Sequence, residues 1–387
     1  MTALGVPPRS PRYQSLDLWR GVACVFVVLY HSVLVYVSGP RANEDQATTA
    51  ILGVLGHLNV GVFLFFVISG YCIAAASDSA RRHRSAIRLY FWRRFRRIYP
   101  PLWIVIALAV LFFAVVDVTV SPGLLSEEPW SQLRPWWYSQ WQWLGNVTLT
   151  ETWRYHVGGG PRGHFPGQAW TLCYEEQFYA VTGALLLVPQ RLFAGALAVT
   201  VITVAVMLGA SAMHVDIAGF FFDGSWLTFA SGILVYHAIN YGSERVRPFS
   251  YAVLGVAAIA AVPLGVPGGA LAFLFSGVLL ALHRHDRAIT QSRVAMPLIW
   301  CGQMCYSLYL VHQLVVKAVS QWLYESGIQT GLGTLAVTVP VSLMASLIVG
   351  RAFYQVVERR FLNAPVGIRG AIPATDAPLP ELTTAAV

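Results

Sequence analysis

The chain repeats one feature about ten times: a run of roughly 20 mostly apolar residues, the length an α-helix needs to cross a hydrocarbon core of about 30 Å. The runs centre near residues 27, 63, 107, 178, 200, 229, 257, 277, 311 and 344. A segment that leaves water must satisfy every backbone N–H and C=O internally, so runs of this length specify spanning helices and exclude most other folds. Hydrophobic residues make up 56% of the 387 positions and charged residues 11%, so nearly all of the mass lies in those runs and their connections. The expected fold class is all-α, a polytopic membrane protein of about ten transmembrane helices.

Basic residues orient the bundle. The segment from Ser77 to Arg97 holds Arg81, Arg82, Arg84, Arg88, Arg93, Arg94, Arg96 and Arg97, an excess that marks a cytoplasmic loop. Counting helices outward from it places both termini in the cytoplasm, and Arg191, Arg245, Arg247, Arg284, Arg287, Arg293, Arg359 and Arg360 then fall on the same face. The opposite loops carry only Arg41, Arg134, Arg154 and Arg162. The first run is too long for a signal-peptide core and no small-residue cleavage site follows it, so a retained helix is expected. Topology absorbs most of the net charge of +8, which calls for no nucleic acid. The expected division is a cytoplasmic segment over 1–15, a membrane domain over 16–362 with a long outer tryptophan-rich loop at 119–167, and a disordered cytoplasmic tail over 363–387.

The five cysteines, Cys24, Cys72, Cys173, Cys301 and Cys305, lie in apolar runs without paired loop spacing, which argues against a disulfide framework and a metal site. Cys301 and Cys305, one helical turn apart, read as packing. In the outer loop, Trp130, Trp136, Trp137, Trp141, Trp143 and Trp153 stand among glycines and prolines. Such indoles either settle in the headgroup zone as a belt or form a lid whose ring faces hold a sugar or a hydrophobic acceptor. No internal repeat is visible, which weakens the case for an inverted-repeat transporter.

An ionisable side chain inside a span is costly and so marks a functional candidate. In "LDLWRGVACVFVVLYHS", residues 16–32, the offset from Arg20 to His31 amounts to three turns plus roughly 20°, and about 16 Å of rise. The two share one helix face, with Arg20 near the cytoplasmic boundary, His31 past the midplane, and Asp17 one turn before Arg20 to hold its guanidinium. The competing use of His31 is a buried imidazole satisfied by a backbone carbonyl. In "GQAWTLCYEEQFY", residues 167–179, Glu175 lies at a depth close to that of His31. A carboxylate and an imidazole at one depth can pair, fixing the tautomer and raising the basicity of a general base, or can form a structural ion pair between helices. Glu176 points about 100° away and is the weaker candidate. In "YFWRRFRRIYPPLW", residues 90–103, Arg93, Arg94, Arg96 and Arg97 alternate with aromatics and are stopped by Pro100 and Pro101. Topology and lipid-headgroup anchoring account for an ordinary basic loop. Guanidiniums in this pattern also suit clamping phosphates bidentately and stacking on an adenine, as a coenzyme A donor would require.

The segments "LDLWRGVACVFVVLYH", "VGVFLFFVISGYCI", "RRFRRIYP", "WTLCYEEQFY", "YSLYLVH" and "VVERRF" follow one another between residues 16 and 361. In this order they resemble the signatures of the integral-membrane acyltransferase 3 family, which includes bacterial O-antigen acetylases and macrolide 3-O-acyltransferases. The resemblance places Arg20 and His31 in the first-helix signature, Ser69 and Gly70 in the second, and Arg94 and Arg97 in the arginine motif. Glu175 takes the glutamate position, and His312 and Glu358 fall in the late-helix and closing motifs. Three positions depart: Phe63 stands where many members have an acidic residue, Gln168 where many have a histidine, and Arg360 where a proline often follows the glutamate.

The resemblance implies transfer of an acyl group, often acetyl or another short acyl, from acyl-CoA to a hydroxyl of a carbohydrate, a glycosylated metabolite such as a macrolide, or a lipid-linked glycan, in a bacterial inner or plasma membrane. Acyl-CoA is then a co-substrate, with no metal and no tightly bound cofactor. Arg94 and Arg97, flanked by Arg93 and Arg96, hold the donor's phosphates, with Ser69 also on the donor side and Arg20 along the pantetheine route. His31, supported by Glu175, either deprotonates the acceptor or briefly accepts the acyl group. With only residues 363–387 after the last span, no further hydrolase-like domain is expected. The alternative is a transporter or flippase using Arg20, His31 and Glu175 as a proton or anion relay; a sensor or scaffold leaves the aligned arginine and histidine unexplained.

Overall fold

The computed structural model describes residues 13–38, 44–82, 87–116, 134–187, 192–243 and 246–362, and among the described residues there is no β-strand. Helices α1 (Leu16–Ser38), α2 (Gln46–Leu55), α3 (Gly61–Arg82) and α4 (Ile87–Val115) come first. Short helices α5 (Gln140–Thr148) and α6 (Glu151–Gly158) precede α7 (Trp170–Leu186), α8 (Leu192–Met213), α9 (Ser225–Asn240), α10 (Val246–Ala261) and α11 (Gly269–Leu282). The last group is α12 (Asp286–Gln291), α13 (Met296–Gln303), α14 (Cys305–Glu325), α15 (Gly331–Gly333), α16 (Val339–Phe353) and α17 (Arg359–Leu362).

Every expected run centre falls within a helix. By length and composition, five helical stretches are long and apolar enough to cross a membrane: Leu16–Val37, Gln46–Arg81, Ile87–Val115, Leu192–Met213 and Gly331–Leu362. The other runs form helices that are shorter, such as the 14 residues of α11, or more polar, such as α14. The second run is broken, because a turn at residues 56–60 separates α2 from α3. Gly61 therefore opens α3 against Ala23 and Val27, part-way along α1.

Pro100 and Pro101 do not stop the arginine segment as their sequence suggests. They lie inside α4, which continues through them. Each proline removes one N–H and so frees the carbonyl four residues earlier. Ile98, Pro101 and Leu102 are buried there, and this packing outweighs the local penalty.

α1 runs through the centre, packed on α3, α13, α14 and α16. Its start is tied down where Asp286 accepts from the backbone N–H groups of Gln14 at 2.9 Å and Ser15 at 2.7 Å, a carboxylate at a helix N-terminus. Two reciprocal glycine contacts set the closest crossings. Gly21 faces the Leu298 carbonyl while Gly302 faces that of Asp17; Gly70 faces the Phe229 carbonyl while Gly232 faces that of Val67. No side chain fits at these points, so backbones approach as small residues allow in membranes.

In the tryptophan-rich segment, residues 135–137, α5 and α6 are helical and residues 159–166 are irregular. Ser139 and Gln142 close a capping box at the start of α5, and the end of α5 leans on α4, where Trp103 Nε1 donates to the Val147 carbonyl at 3.0 Å. Trp136, Trp137 and Trp141 are exposed, whereas Trp143 packs on Phe165 and Trp153 stacks on Phe220. Residues 1–12, residues 117–133 with Trp130, the tail 363–387, and Arg41, Arg84, Arg191 and Arg245 lie outside the described residues.

Candidate active site

α1 and α14 run parallel, as the contacts of Cys24 with Cys305 and of His31 with His312 require. α3 and α7 contribute facing polar positions at successive levels, and α4 supplies the arginines. Together they enclose a cavity of ≈ 80 Å³. At one end stand Arg20, Cys72, Arg94, Arg97 and Tyr179; Ser69, Glu175 and Tyr306 form the middle; Phe65, Thr171 and Tyr309 close the other end. No tryptophan lines it.

Arg20 is held as its spacing predicts. Nη1 donates to Asp17 Oδ1 at 2.6 Å, and Nη2 donates to Cys72 Sγ at 3.0 Å. Arg94 lies over the rings of Tyr179 at 5.2 Å and Tyr90 at 5.7 Å, within cation–π range. Among the described residues neither Arg94 nor Arg97 has a hydrogen-bond or ion-pair partner, although both face the cavity. Arg93 is exposed and Arg96 half-buried, and neither lines the cavity. The four guanidiniums therefore divide by helix face, with the pair three residues apart turned inward.

Glu175 is occupied. Ser69 Oγ donates to its Oε1 at 2.6 Å and Tyr179 OH donates to its Oε2 at 2.8 Å. Contrary to the pairing that equal depth suggests, no hydrogen bond or ion pair joins Glu175 to His31. Helix arithmetic fixed the depth of each side chain but not the azimuth of α7 about α1, and α3 with Phe65 and Ser69 intervenes. His31 instead faces His312, with ring centres 5.2 Å apart. His312 is fully buried, and its Nδ1 stands 2.7 Å from the Tyr309 carbonyl. Tyr309 lies edge-on to Phe65 at 5.9 Å, so an aromatic layer separates the histidine pair from the cavity.

Gln168, which stands where many family members have a histidine, is structural: Nε2 donates to the Leu310 carbonyl at 2.5 Å, and its backbone carbonyl accepts from Tyr309 OH at 2.9 Å. Glu358 is buried and accepts from the backbone N–H of Ser307 at 3.0 Å, which ties the closing helix to the start of α14. Glu176 has one buried oxygen without a partner and does not line the cavity. Sequence reasoning passed over Tyr179, Cys72, Tyr306 and Tyr309. Tyr179 carried a usable signal, since it stands one helical turn after Glu175, as Cys72 stands one turn after Ser69. Tyr306 and Tyr309 are marked only by where α14 packs.

A family model described as an acyltransferase domain matches residues 13–351. Among curated proteins, the peptidoglycan O-acetyltransferase OatA of Listeria monocytogenes is 25% identical over 349 residues, 80% of this chain and 51% of that protein. The O-acetyltransferase OatA of Staphylococcus aureus is 23% identical over 392 residues, 93% of this chain and 58% of the relative. The acyltransferase MdmB of Streptomyces mycarofaciens is 26% identical over 175 residues, 45% of this chain and 39% of its own length. The chain spans about half the length of the curated relatives it matches. No solved structure matches it.

Proposed function

We propose, from the premise that the chain belongs to the integral-membrane acyltransferase 3 family, that it is a membrane O-acyltransferase moving an acetyl or other short acyl group from acyl-CoA to a hydroxyl of a carbohydrate or glycosylated acceptor. One observation carries the donor assignment: Arg94 and Arg97 face a cavity with no direct hydrogen-bond or ion-pair partner among the described residues, while the carboxylate beside them, Glu175, is already held by Ser69 and Tyr179. Their donor N–H groups are therefore open to an incoming anion. A phosphate suits them best, because a guanidinium grips it with two parallel hydrogen bonds. The relatives are named for acetyl or acyl transfer, and the transporter alternative finds no support among them.

Ten spans with both termini in the cytoplasm complete the reading, because that topology turns the arginine end of the cavity toward the cytoplasmic pool of acyl-CoA. The nucleotide then rests at Arg94 and Arg97, with Arg93 and Arg96 at the mouth. The pantetheine arm passes Arg20 and Ser69, and the thioester lies toward Tyr309. Glu175 acts on the donor side: it fixes Tyr179, whose ring underlies Arg94.

The acceptor approaches from the opposite end, beneath the outer segment. As its oxygen attacks the thioester carbonyl, its proton passes to His31. The C–O bond forms, the C–S bond breaks, and the departing CoA thiolate recovers the proton. His31 and the thioester meet only when the Phe65–Tyr309 layer shifts, a step of the kind by which donor entry gates chemistry.

The test uses the purified full chain with acetyl-CoA and soluble peptidoglycan fragments. Free CoA should appear only when both are present, and His31→Ala should abolish its release while the protein remains folded. Equal release without acceptor, or wild-type rates in His31→Ala, refutes the assignment. Acyl groups accumulating on the protein before acceptor is added would replace the base route by a covalent one.

A further inference from the structure

Two buried nitrogen atoms beside the cavity are left unsatisfied. His31 Nδ1 and His312 Nε2 are both enclosed by protein and both lack a hydrogen-bond partner, in rings whose centres are 5.2 Å apart. Buried polar atoms are nearly always satisfied, so two orphans on adjacent rings require an explanation. We propose that His312 is the positioning residue for His31: it accepts a hydrogen bond from His31 Nδ1–H and so leaves Nε2 of His31 bare as the base. The inference rests on the reading of His31 as the proton acceptor, and it gives the supporting role to an imidazole from α14 in place of Glu175.

The protonation states follow from donors and acceptors alone. The Tyr309 carbonyl can only accept, so the 2.7 Å contact puts the proton of neutral His312 on Nδ1. Its Nε2 is then a lone pair, fully buried and aimed at no other group. A hydrogen on the enclosed Nδ1 of His31, donated to this lone pair, satisfies both orphaned atoms at once. The two rings are tilted at 50° with centres 5.2 Å apart, a spacing that puts a nitrogen of each within reach of a bond of about 2.9 Å once a ring turns. Rotation of the His31 ring about its broad, weakly restricted χ2 torsion completes the bond.

The remaining neighbours fit. Tyr30 meets the His31 ring edge to face at 4.9 Å and does not hydrogen-bond it. Lys317, one helical turn and a residue beyond His312 on α14, offers only donors and cannot take the proton of Nδ1. When His31 takes the acceptor's proton on Nε2, its Nδ1–H bond to His312 strengthens, because the donor has become an imidazolium. The Tyr309 carbonyl anchors the chain of dipoles, and no charge need leave the two rings.

The experiment combines kinetics with a spectroscopic readout that does not depend on turnover. His312→Phe keeps a ring but removes the acceptor; His312→Gln restores an acceptor oxygen. In the full chain with acetyl-CoA and soluble peptidoglycan fragments, His312→Phe should lower kcat about 10- to 100-fold with little change in KM for acetyl-CoA, and His312→Gln should recover a substantial part. Solid-state ¹⁵N NMR of histidine-labelled protein, with the His31 signal assigned by its loss in His31→Ala, should show a proton on Nδ1 and a bare Nε2. That preference should fade in His312→Phe. A proton on Nε2 of His31 in the wild type overturns the inference, and so does wild-type kcat in a folded His312→Phe. Wild-type rates in His31→Ala would instead remove the base assignment, a separate failure that leaves the tautomer measurement to decide whether the two rings are bonded.

Discussion

Replacing Arg97 by glutamine separates a ligand-binding guanidinium from a structural one by the sign of two effects. Among the described residues Arg97 makes no hydrogen bond or ion pair, and the buried Glu358 carboxylate interacts with it only at longer range, so the variant removes no direct contact. Its thermal midpoint should therefore change little. If the side chain grips a donor phosphate, the loss of a charge-assisted hydrogen bond of about 1.5–3 kcal/mol raises the KM for acetyl-CoA roughly 10- to 150-fold. Arg97→Lys keeps the charge without the planar fork and should fall between. The Arg94→Gln effect should be similar, and the double variant less than additive, because both side chains serve one ligand. The assay is CoA release against acetyl-CoA concentration, beside unfolding followed by tryptophan fluorescence. A lower midpoint with unchanged KM would refute the donor reading and return the pair to a structural or topological role.

Further outcomes follow from the geometry. Gly70→Ala pushes a methyl group against the Phe229 carbonyl and should lower thermal stability by about 1–3 kcal/mol, whereas Gly255→Ala, with open space around it, should not. Glu151 is fully buried and bonds Arg154 at 2.6 Å, so Glu151→Gln should cost about 3 kcal/mol and speed proteolysis between α5 and α7. His164, in the tryptophan-rich segment, has its pKa lowered from 6.5 to about 4 by burial, with Arg162 and Arg154 adding to the effect. The unfolded state binds the extra proton between those values, so the segment's stability is full above pH 6.5 and falls as pH drops toward 4. Proteolysis across that range should show it, and His164→Phe should flatten the profile.

The stripe from Arg20 to His31 was legible because both residues sit on one uninterrupted helix, where angle and rise follow from counting. The same holds for Asp17 on Arg20, whereas the four arginines read as one cluster until the face of α4 that meets the cavity divided them. The partner of His31 was not legible. Glu175 and His312 both belong to helices far along the chain, and the choice between them depends on which helix packs against which face of α1. Likewise Pro100 and Pro101 read locally as a stop, and only the burial around them shows why α4 continues.

Sequence by itself determined that this chain is helical and rich in membrane-length apolar runs, and it singled out Arg20, His31, Arg94, Arg97 and Glu175 as polar residues in or beside those runs. Those outcomes follow from backbone hydrogen bonding and from the cost of charge in hydrocarbon, both of which act residue by residue. Tertiary structure alone decided which of those residues meet across helices: Glu175 with Ser69, His31 with His312, and Arg94 and Arg97 with Arg20 around a shared cavity. The crossings that bring them together are set where Gly70 and Gly232 let α3 and α9 touch, and where Gly21 and Gly302 do the same for α1 and α13. Such contacts depend on shape matched across helices distant in sequence, which no single helix encodes.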